Sequence, residues 1–476
     1  MTAERVSRWL TWALLAVSGA IVLITVVRVR TAWPNEAHLG YTEGTWTAIA
    51  IDAAHGVFYR PLEGDLGYGG TRYFPLFFSL QAGLIRVGLS PIAAGHLLAT
   101  VSVLFLVSTV GWLVHLAGSR PLVAATAAVV VLGCQPTQMA LLTIRGDALA
   151  TAFALTGVAC AIGRRSAGTA ALAFMLAFAT KPTSLYAPVA TVLWLGLRGE
   201  RRSVWRLTGA TAAGLTLVLV TMQAASASRA LGVIGASAVG GGTWQSLLSA
   251  PLALAHILRR VPESLALMAA AVAVIMARAR RGLTIEGIAF VACAVATVAI
   301  FASPATVENH LVDLTACAVV VIAGWVGYEK QRATAVALIL VAGGLAAGTT
   351  AALRWHDRDR VDARTAREHV LAAVADAHTP IFVEQPILAA KAGWQTYLLD
   401  PYLFSFRIAQ DPRRLDRLID DLRRRRFGAV ILEHADLNLA LQDSFPDPAG
   451  TRFLAALREG YALDRVVDGR PVFRPR

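Results

Sequence analysis

The sequence is poor in charge: charged residues make up 16% of the 476 positions, against about 25% in a typical soluble domain. Hydrophobic residues make up 56% and the mean hydropathy is +0.57. This composition excludes a disordered chain. It also excludes a soluble enzyme of ordinary composition, because so much apolar surface cannot be buried in one aqueous core. Apolar runs of about 18 residues recur instead, which indicates a polytopic α-helical membrane protein.

Cysteine is scarce, and each of the four lies inside an apolar run. Their scatter excludes a zinc site and a disulfide framework, so we interpret them as small core residues. Acids are also few, and the net charge is +13 with a pI near 10.2. In a soluble protein this charge would indicate nucleic-acid binding. In a membrane chain the positive-inside rule accounts for it. We therefore predict membrane lipids, and no nucleic acid, as partners.

Apolar runs predict about eleven membrane spans. The first, Trp9–Val27, follows Arg5 and Arg8, so we predict an uncleaved span with a cytoplasmic N-terminus. Phe74–Val87 has about 14 residues, which is short for a span, and we predict an interfacial helix there. The other runs are Ala93–Val114, Leu122–Pro136, Ala148–Ile162, Ala167–Thr180, Tyr186–Leu197, Leu207–Gln223, Leu265–Met276, Ile285–Phe301, Leu311–Val326 and Ala333–Ala352.

Basic residues distinguish the two sides of this predicted bundle. Every predicted inner turn is basic, as the positive-inside rule requires, whereas the short outer connections hold only Arg145 and Lys181. Counting Phe74–Val87 as a span would invert every later loop and remove this agreement. The longer connection Ala224–Glu263 is predicted to be an outer loop. The inner basic residues are Arg120, Arg164, Arg165, Arg198, Arg201, Arg202, Arg206, Arg278, Arg280, Arg281, Lys330 and Arg332.

Composition divides the chain into two predicted domains. Residues 1–353 form the transmembrane domain, with a long first outer loop at 28–73, and residues 354–476 form an outer α/β domain. This second part holds about 18 of the 31 acids and is long enough for a core of its own. Its predicted elements are a helix from Asp411 to near Arg426, buried strands at Ile381–Glu384 and Gly428–Leu432, and a helix at Phe453–Arg458.

Ionisable residues cluster at the predicted outer ends of the spans, where acids stand beside single basic residues. Such groups at membrane depth are costly unless they face a cavity or the bundle interior, so they are candidate site residues. The inner clusters contain only basic residues and require nothing beyond topology. The outer candidates are Glu43, Asp52, Glu63, Asp65, Arg72, Arg145, Asp147, Lys181, Glu308, Asn309, His310 and Asp313.

A basic group beside a carboxylate at a membrane surface suits the transfer of a sugar from a lipid phosphate. Arg or Lys neutralises the phosphate as it departs. A carboxylate takes the proton from an acceptor hydroxyl. The surrounding apolar wall would hold the lipid.

The order of short motifs along the chain carries a resemblance. The first outer loop contains Tyr41-Thr42-Glu43-Gly44, and Thr71-Arg72-Tyr73-Phe74-Pro75-Leu76-Phe77 opens the predicted interfacial helix. Later outer turns contain Arg145-Gly146-Asp147, Thr180-Lys181-Pro182-Thr183 and Glu308-Asn309-His310-Leu311. This arrangement resembles the bacterial C-type (GT-C) membrane glycosyltransferases, of the family-39-like and rhizobial lipopolysaccharide-transferase-like kind, over nearly the whole chain.

The resemblance implies an enzyme of the bacterial inner membrane that moves a sugar from a polyprenyl-phosphate donor to a glycan, lipid or protein acceptor at the outer face. It implies Glu43 as the catalytic base, where the family often has an aspartate in an acidic pair; no second acid adjoins Glu43. It also implies Arg72 as a phosphate contact. No cofactor is predicted, and a divalent metal and its ligands stay open. The other predicted substrate-binding residues are Arg145, Asp147, Lys181, Asn309 and His310.

The candidate residues also have structural interpretations. Glu43 in a first helical turn would favour the helix dipole. Asp52 lies nine residues later, about half a turn round the helix, and we interpret it as structural. Arg145 and Asp147 could form a local ion pair, and the other basic residues could anchor span ends at the interface.

Two other functions compete for the whole chain. A transporter or flippase of a lipid-linked or anionic substrate would place ionisable residues near the bilayer midplane, often between repeated halves with broken helices. The sequence shows no repeat, and its candidate charges lie at span ends. A non-catalytic GT-C-like scaffold is the second alternative, because the acidic pair is incomplete.

Overall fold

The computed structural model describes residues 3–163, 166–237, 243–278, 282–303, 306–325, 332–358, 362–378, 380–434 and 449–476. The predicted basic loop positions at 164–165, 279–281 and 326–331 lie outside this set. Helices dominate the described residues. They are α1 Ala3–Asn35, α2 Tyr41–Ala54, α3 Pro75–Arg86, α4 Pro91–Leu116, α5 Pro121–Gly133, α6 Gln135–Leu142, α7 Asp147–Ile162, α8 Ala167–Thr180, α9 Tyr186–Leu197, α10 Arg201–Ala225, α11 Ala230–Ser237, α12 Trp244–Arg260, α13 Pro262–Arg278, α14 Ile285–Ile300, α15 Val312–Gly324, α16 Arg332–Arg358, α17 Ala363–Ala373, α18 Pro386–Ala392, α19 Pro401–Gln410, α20 Asp416–Arg423 and α21 Ala449–Gly460.

Each predicted apolar run coincides with a helix: α1, α4, α5, α7 to α10 and α13 to α16. Four described helices, α1, α4, α10 and α16, contain segments that are long and apolar enough to cross a membrane. The pairs α5/α6 and α12/α13 meet that criterion together but bend by 68° and 117°. Helices α7, α8, α9 and α14 are shorter and apolar. Helix α15 is buried along its whole length, so it forms the centre of the bundle.

The prediction of a loop at 224–263 is wrong in its secondary structure. Helices α11 and α12 occupy much of this segment. Helix α12 begins at a capping box in which the Thr243 hydroxyl accepts from the Ser246 N–H at 3.1 Å. Trp244, Leu248 and Leu252 are among its most exposed side chains. The polar flanks and the terminal arginines resemble a loop in the sequence, although the apolar residues recur with helical spacing.

Helix α3 forms where the interfacial helix is predicted. It begins at Pro75, whose missing N–H suits the first turn of a helix. Its 12 residues extend about 18 Å, which is too short to cross a bilayer. It packs against α2, α4 and α8, next to the first loop.

The C-terminal segment forms the predicted α/β unit. Its mixed sheet has the order β3-β4-β6-β5, with β3 parallel to β4 and the other pairs antiparallel. Helices α17 and α18 contact α1, α2 and α4, and we call that end of the bundle the domain end. The predicted helix at 411–426 is a 3₁₀ turn followed by α20. The strands are β3 Ile381–Val383, β4 Ala429–Ile431, β5 Tyr461–Val467 and β6 Arg470–Pro475.

The first loop is joined to the α/β unit by backbone pairing. Its hairpin consists of β1 Glu63–Gly64 and β2 Gly67–Tyr68. The Tyr68 N–H donates to the Tyr397 carbonyl at 2.8 Å, and the Leu399 N–H donates to the Tyr68 carbonyl at 3.0 Å. The hairpin is therefore hydrogen-bonded through its backbone to a segment of the α/β unit that lies about 330 residues later in the chain.

Arg60 is buried between the first loop and the α/β unit and stabilises the contact between them. Arg60 is 2% exposed, and it donates to Asp52 Oδ1 at 2.5 Å and to the Thr396 carbonyl at 2.6 Å. Gln395 also donates to Asp52 at 3.1 Å. The structural interpretation of Asp52 is confirmed, because its carboxylate binds α2 to the first loop and to the α/β unit.

Candidate active site

Glu43 lies in the first turn of α2 and is 3% exposed. Its Oε2 accepts a hydrogen bond from the Gly40 backbone N–H at 2.9 Å, which satisfies one of the unpaired donors at the start of the helix. Its Oε1 accepts from Arg145 Nε at 2.8 Å. Glu43 therefore has the structural role of a capping residue and, in addition, forms a buried ion pair with a residue a hundred positions away.

The loop that joins α6 to α7 brings Arg145 to Glu43. Gly146 is needed there, because a Cβ would lie 3.1 Å from Thr180 Cγ2 and 3.3 Å from Phe77 Cβ. The loop thus packs between the end of α8 and helix α3. The interpretation of Arg145 and Asp147 as a local ion pair is wrong, since each binds a partner on another element.

Asp147 and Lys181 form the second ion pair of the cluster. Lys181 Nζ lies 2.7 Å from Asp147 Oδ1 and 3.9 Å from Asp313 Oδ2. Asn309 Nδ2 donates to the other Asp147 oxygen at 3.0 Å, and Tyr186 donates to Asp313 at 2.9 Å. Because Lys181 is bound to two carboxylates, it is more than a simple anchor at the end of a span.

His310 lies where the charges of three motifs meet. Lys181, Arg145 and Arg72 all act electrostatically on its ring. The structure therefore brings the basic residues of the three separate sequence motifs to one end of the bundle. Among the described residues, His310 Nδ1 and Asn309 Oδ1 are buried without a hydrogen-bond partner. Buried polar atoms are normally paired, so unpaired ones at a cluster of charges indicate a ligand site.

Arg72 has an aromatic partner. Its guanidinium carbon lies 5.6 Å from the centroid of the Tyr402 ring, at the start of α19. Tyr41, two residues before Glu43, donates a short hydrogen bond to Asp400 Oδ1 and accepts from the Tyr402 N–H at 2.6 Å. Burial, together with the Asp400 charge, raises the pKa of Tyr41, so its hydroxyl stays protonated and remains a donor.

The other acids of the first loop lie elsewhere. Glu63 is 3.6 Å from Arg414, and Asp65 is 3.9 Å from Arg417. The Arg426 side chain donates to the Asp65 carbonyl at 2.7 Å. These contacts join the hairpin to the α/β unit, so the structure does not bring Glu63 or Asp65 to the cluster around Glu43.

An apolar cavity lies beside the chain segments that carry Arg72 and Lys181. Its volume is about 310 Å³, and it is lined by side chains from α3, α8 and α10 and by Phe58. Pro75 lines it three residues after Arg72, and Ala179 lines it two residues before Lys181. The cavity therefore runs from apolar helix surfaces towards the segments that carry these two cations.

The chemistry of the cluster argues against a metal centre built from several acidic or sulfur ligands. No group of three or more His, Cys, Asp or Glu side chains in the described parts of the chain is arranged to hold a metal ion. Glu43 and Asp147 each bind a cationic side chain instead. The described residues therefore do not fit a metal held by three or more such side chains.

Comparison with solved structures relates this arrangement to known membrane proteins. ArnT from Cupriavidus metallidurans bound to undecaprenyl phosphate aligns with a TM-score of 0.59 at 12% identity, over 96% of this chain and 98% of that one. Its apo state gives 0.55 and 15% over the same shares. The Archaeoglobus fulgidus oligosaccharyltransferase tethered with an acceptor peptide gives 0.50 and 11%, over 95% and 72%. No family model and no curated protein matches the sequence.

The chain has the GT-C fold. The predicted class, a polytopic helical membrane protein with a small C-terminal sheet domain, is confirmed. Within this fold, the sequence named Asp313 as an outer candidate without a specific role, and it did not indicate Tyr186 or Tyr402. The Tyr402 contact carries no local signal, because its partner lies 330 positions earlier.

Proposed function

We propose that this protein is an integral membrane glycosyltransferase that moves a sugar from a polyprenyl-phosphate donor to a glycan, lipid or protein acceptor. The observation that carries the proposal is the cavity of about 310 Å³ between α3, α8 and α10, which adjoins the cluster of buried ion pairs at the domain end. A polyprenyl phosphate has the matching chemistry, with a long apolar chain and an anionic head. Of the two ArnT structures, one holds undecaprenyl phosphate.

In the proposed reaction the acceptor hydroxyl oxygen attacks the anomeric carbon of the donor sugar. The bond between that carbon and the phosphate oxygen breaks, and polyprenyl phosphate leaves with the electron pair. Glu43 takes the hydroxyl proton. Each of its oxygens accepts one hydrogen bond, and a carboxylate oxygen has room for a second. Arg145 holds the carboxylate in place through its Nε–H.

The leaving phosphate requires positive charge that is fixed before the reaction begins. Arg72, three residues before Pro75 of the cavity lining, is assigned to bind the donor phosphate, and Lys181, two residues after Ala179, is assigned to neutralise it as it leaves. Lys181 is held by Asp147 and Asp313, so it is placed in advance, and Asn309 orients Asp147. His310 Nδ1 and Asn309 Oδ1 are assigned to hydroxyl groups of the sugar, because both atoms are buried and unpaired.

Location and domain limits belong to the same proposal. We place the protein in the bacterial inner membrane, with a cytoplasmic N-terminus, and the site and residues 354–476 on the outer side of residues 1–353. Arg120 and Arg201 support this orientation, because Arg120 immediately precedes α5 and Arg201 begins α10, whereas residues near the other end of α10 line the cavity. Helix α16 continues to Arg358, so the change of composition precedes the end of the last apolar helix.

A transporter is the alternative that one structural feature favours. Two bent helix pairs meet at Glu263, which is 1% exposed and accepts from the Gln135 N–H at 2.9 Å. Broken helices beside a buried acid are typical of transporters. The Thr349 hydroxyl also donates to Glu263 at 3.2 Å. Glu263 is thus explained as the cap of α6, whereas Asn309 Oδ1 and His310 Nδ1 at the charged cluster are buried without a partner.

The test is a transfer assay with purified protein in lipid nanodiscs and a panel of radiolabelled polyprenyl-phosphate sugars. We expect sugar release from at least one donor, with polyprenyl phosphate as the second product, and release at least about a hundredfold slower by the Glu43→Gln variant. Vesicle-based flux of the same donors is measured in parallel. Flux without transfer would support the transporter. The absence of both transfer and flux with every donor would support the scaffold.

A further inference from the structure

The C-terminal α/β unit contributes directly to the proposed donor site through one aromatic side chain. Arg72 lies over the Tyr402 ring, and Tyr402 belongs to α19. No salt bridge joins Arg72 to any residue that the structure describes, whereas Arg145 and Lys181 are both paired with carboxylates. An aromatic face attracts a guanidinium group without neutralising its charge. Arg72 is therefore held in place and still has its positive charge available for an anion.

The position of the Tyr402 ring is itself fixed by the first loop. Pro401 and Tyr402 form the first turn of α19, where backbone N–H groups lack partners within the helix. The Tyr41 hydroxyl accepts the Tyr402 N–H at 2.6 Å and donates to Asp400. Asp400 in turn accepts from the Leu403 N–H at 3.0 Å. Tyr41 and Asp400 thus set the backbone from which the Tyr402 ring reaches Arg72.

The first loop and the α/β unit are closely packed against each other at two glycines. A Cβ added at Gly70 would lie 3.0 Å from the Leu403 side chain, so the segment that leads to Arg72 runs directly along α19. A Cβ at Gly44, next to Glu43, would lie 2.3 Å from the Ile387 backbone nitrogen. The α/β unit therefore touches the segments that carry both Arg72 and Glu43.

We infer that Tyr402 is a positioning residue that holds the Arg72 guanidinium for the donor phosphate, so that the α/β unit completes the donor site. The inference rests on the proposed function, because it requires Arg72 to bind the phosphate of a polyprenyl lipid. Its consequence is specific: the aromatic ring is needed and the Tyr402 hydroxyl is not. Loss of the ring should weaken binding of the phosphate, while the chemical step keeps its rate.

The experiment measures the binding of undecaprenyl phosphate, without any sugar, to the full chain in nanodiscs. We expect Tyr402→Leu to raise the Kd about 3- to 30-fold, the range for a partly buried cation–π contact. Tyr402→Phe keeps the ring and should bind like the wild type. In an Arg72→Ala background, Tyr402→Leu should add nothing, because the two residues act through one contact. In transfer assays the donor KM should rise with kcat unchanged.

Tyr68→Phe is the matched control for domain docking. The Tyr68 hydroxyl also joins the first loop to the α/β unit, since it donates to the Arg414 carbonyl at 2.5 Å and accepts from the Leu418 N–H at 3.3 Å, and neither partner is Arg72 or Tyr402. We expect unchanged binding with a lowered Tm. Equal weakening by Tyr68→Phe and Tyr402→Leu would reduce the effect to domain docking and overturn the inference.

Two further outcomes separate the inference from the function on which it rests. If Arg72→Ala weakens binding and Tyr402→Leu does not, the donor site stands and the positioning role is refuted. Absence of undecaprenyl phosphate binding to the wild-type protein would refute both the assignment of Arg72 and the inference. Binding by Arg72→Ala as strong as that of the wild type would refute both as well.

Discussion

Glu43→Gln tests the assigned catalytic base. The substitution keeps the shape of the side chain and an oxygen that can accept from the Gly40 N–H, so the start of α2 is preserved. It removes the negative charge and the basic oxygen that would take the acceptor proton. The loss of a general base costs about 10²- to 10⁴-fold in rate, so we expect transfer to fall at least about a hundredfold in single-turnover assays with bound donor.

The same substitution also disrupts a buried ion pair, and that effect must be separated from the chemistry. The side chains of Glu43 and Arg145 are 4% and 10% exposed. Removal of one partner from such a pair costs about 3–5 kcal/mol, because the other charge stays buried without compensation. Glu43→Gln is therefore expected to lower the Tm as well as the rate.

Asp52→Asn is the control that makes the test decisive. Asp52 lies in the same helix, and its buried partner Arg60 is 2.5 Å away, with side chains 2% and 1% exposed. A comparable loss of stability is expected, but transfer per folded molecule should stay within a few-fold of the wild type. Near-normal transfer by Glu43→Gln would refute the base assignment. Equal losses in both variants would show that the effect is structural.

Three further substitutions test the cavity, the second ion pair and the domain contact. Leu176→Trp fills the cavity and should raise the donor KM about tenfold, because the donor lipid then loses the burial of about two methylene groups. A donor with a truncated lipid chain should be less affected. Lys181→Met leaves two buried acids without their cation, so the free energy of unfolding should fall by about 3–5 kcal/mol and the Tm with it. The donor KM should also rise. An unchanged Tm and KM would indicate that Lys181 is only an interface anchor. Gly44→Ala forces a Cβ against the Ile387 backbone and should lower the Tm, whereas Gly83→Ala, with nothing within 4 Å, should not.

Sequence reasoning predicted the parts of the fold that depend on local periodicity and on charge. Long apolar runs identified the bundle helices, because a chain in lipid must satisfy its backbone hydrogen bonds within each segment. The buried strands β3 and β4 were identified because short continuous apolar runs are typical of strands that are covered on both faces. Strands β5 and β6 were missed, since five successive residues of β5 are exposed and β6 contains two prolines, which are uncommon in inner strands. The pattern of β5 describes a solvated edge, which resembles a loop.

The pairings between distant residues could not be predicted from the sequence. The Glu43–Arg145 ion pair, the Tyr68–Leu398 bridge and the Arg72–Tyr402 contact each join segments more than 100 positions apart. No local pattern encodes such a partner. The sequence did place the basic motifs on one predicted side, which is why Arg72, Arg145 and Lys181 were proposed together, but it gave no means to choose their acidic partners.

The charge arrangement of the cluster indicates which cation contributes most to donor binding. Arg145 and Lys181 already bind carboxylates at 2.8 and 2.7 Å, so a phosphate would have to share them with Glu43 and Asp147. Arg72 has an aromatic partner instead. Because no salt bridge joins Arg72 to a described residue, an anion that approaches it does not have to share it with a paired carboxylate. Arg72 should therefore dominate affinity for the phosphate, while Lys181 acts when negative charge grows on the leaving group.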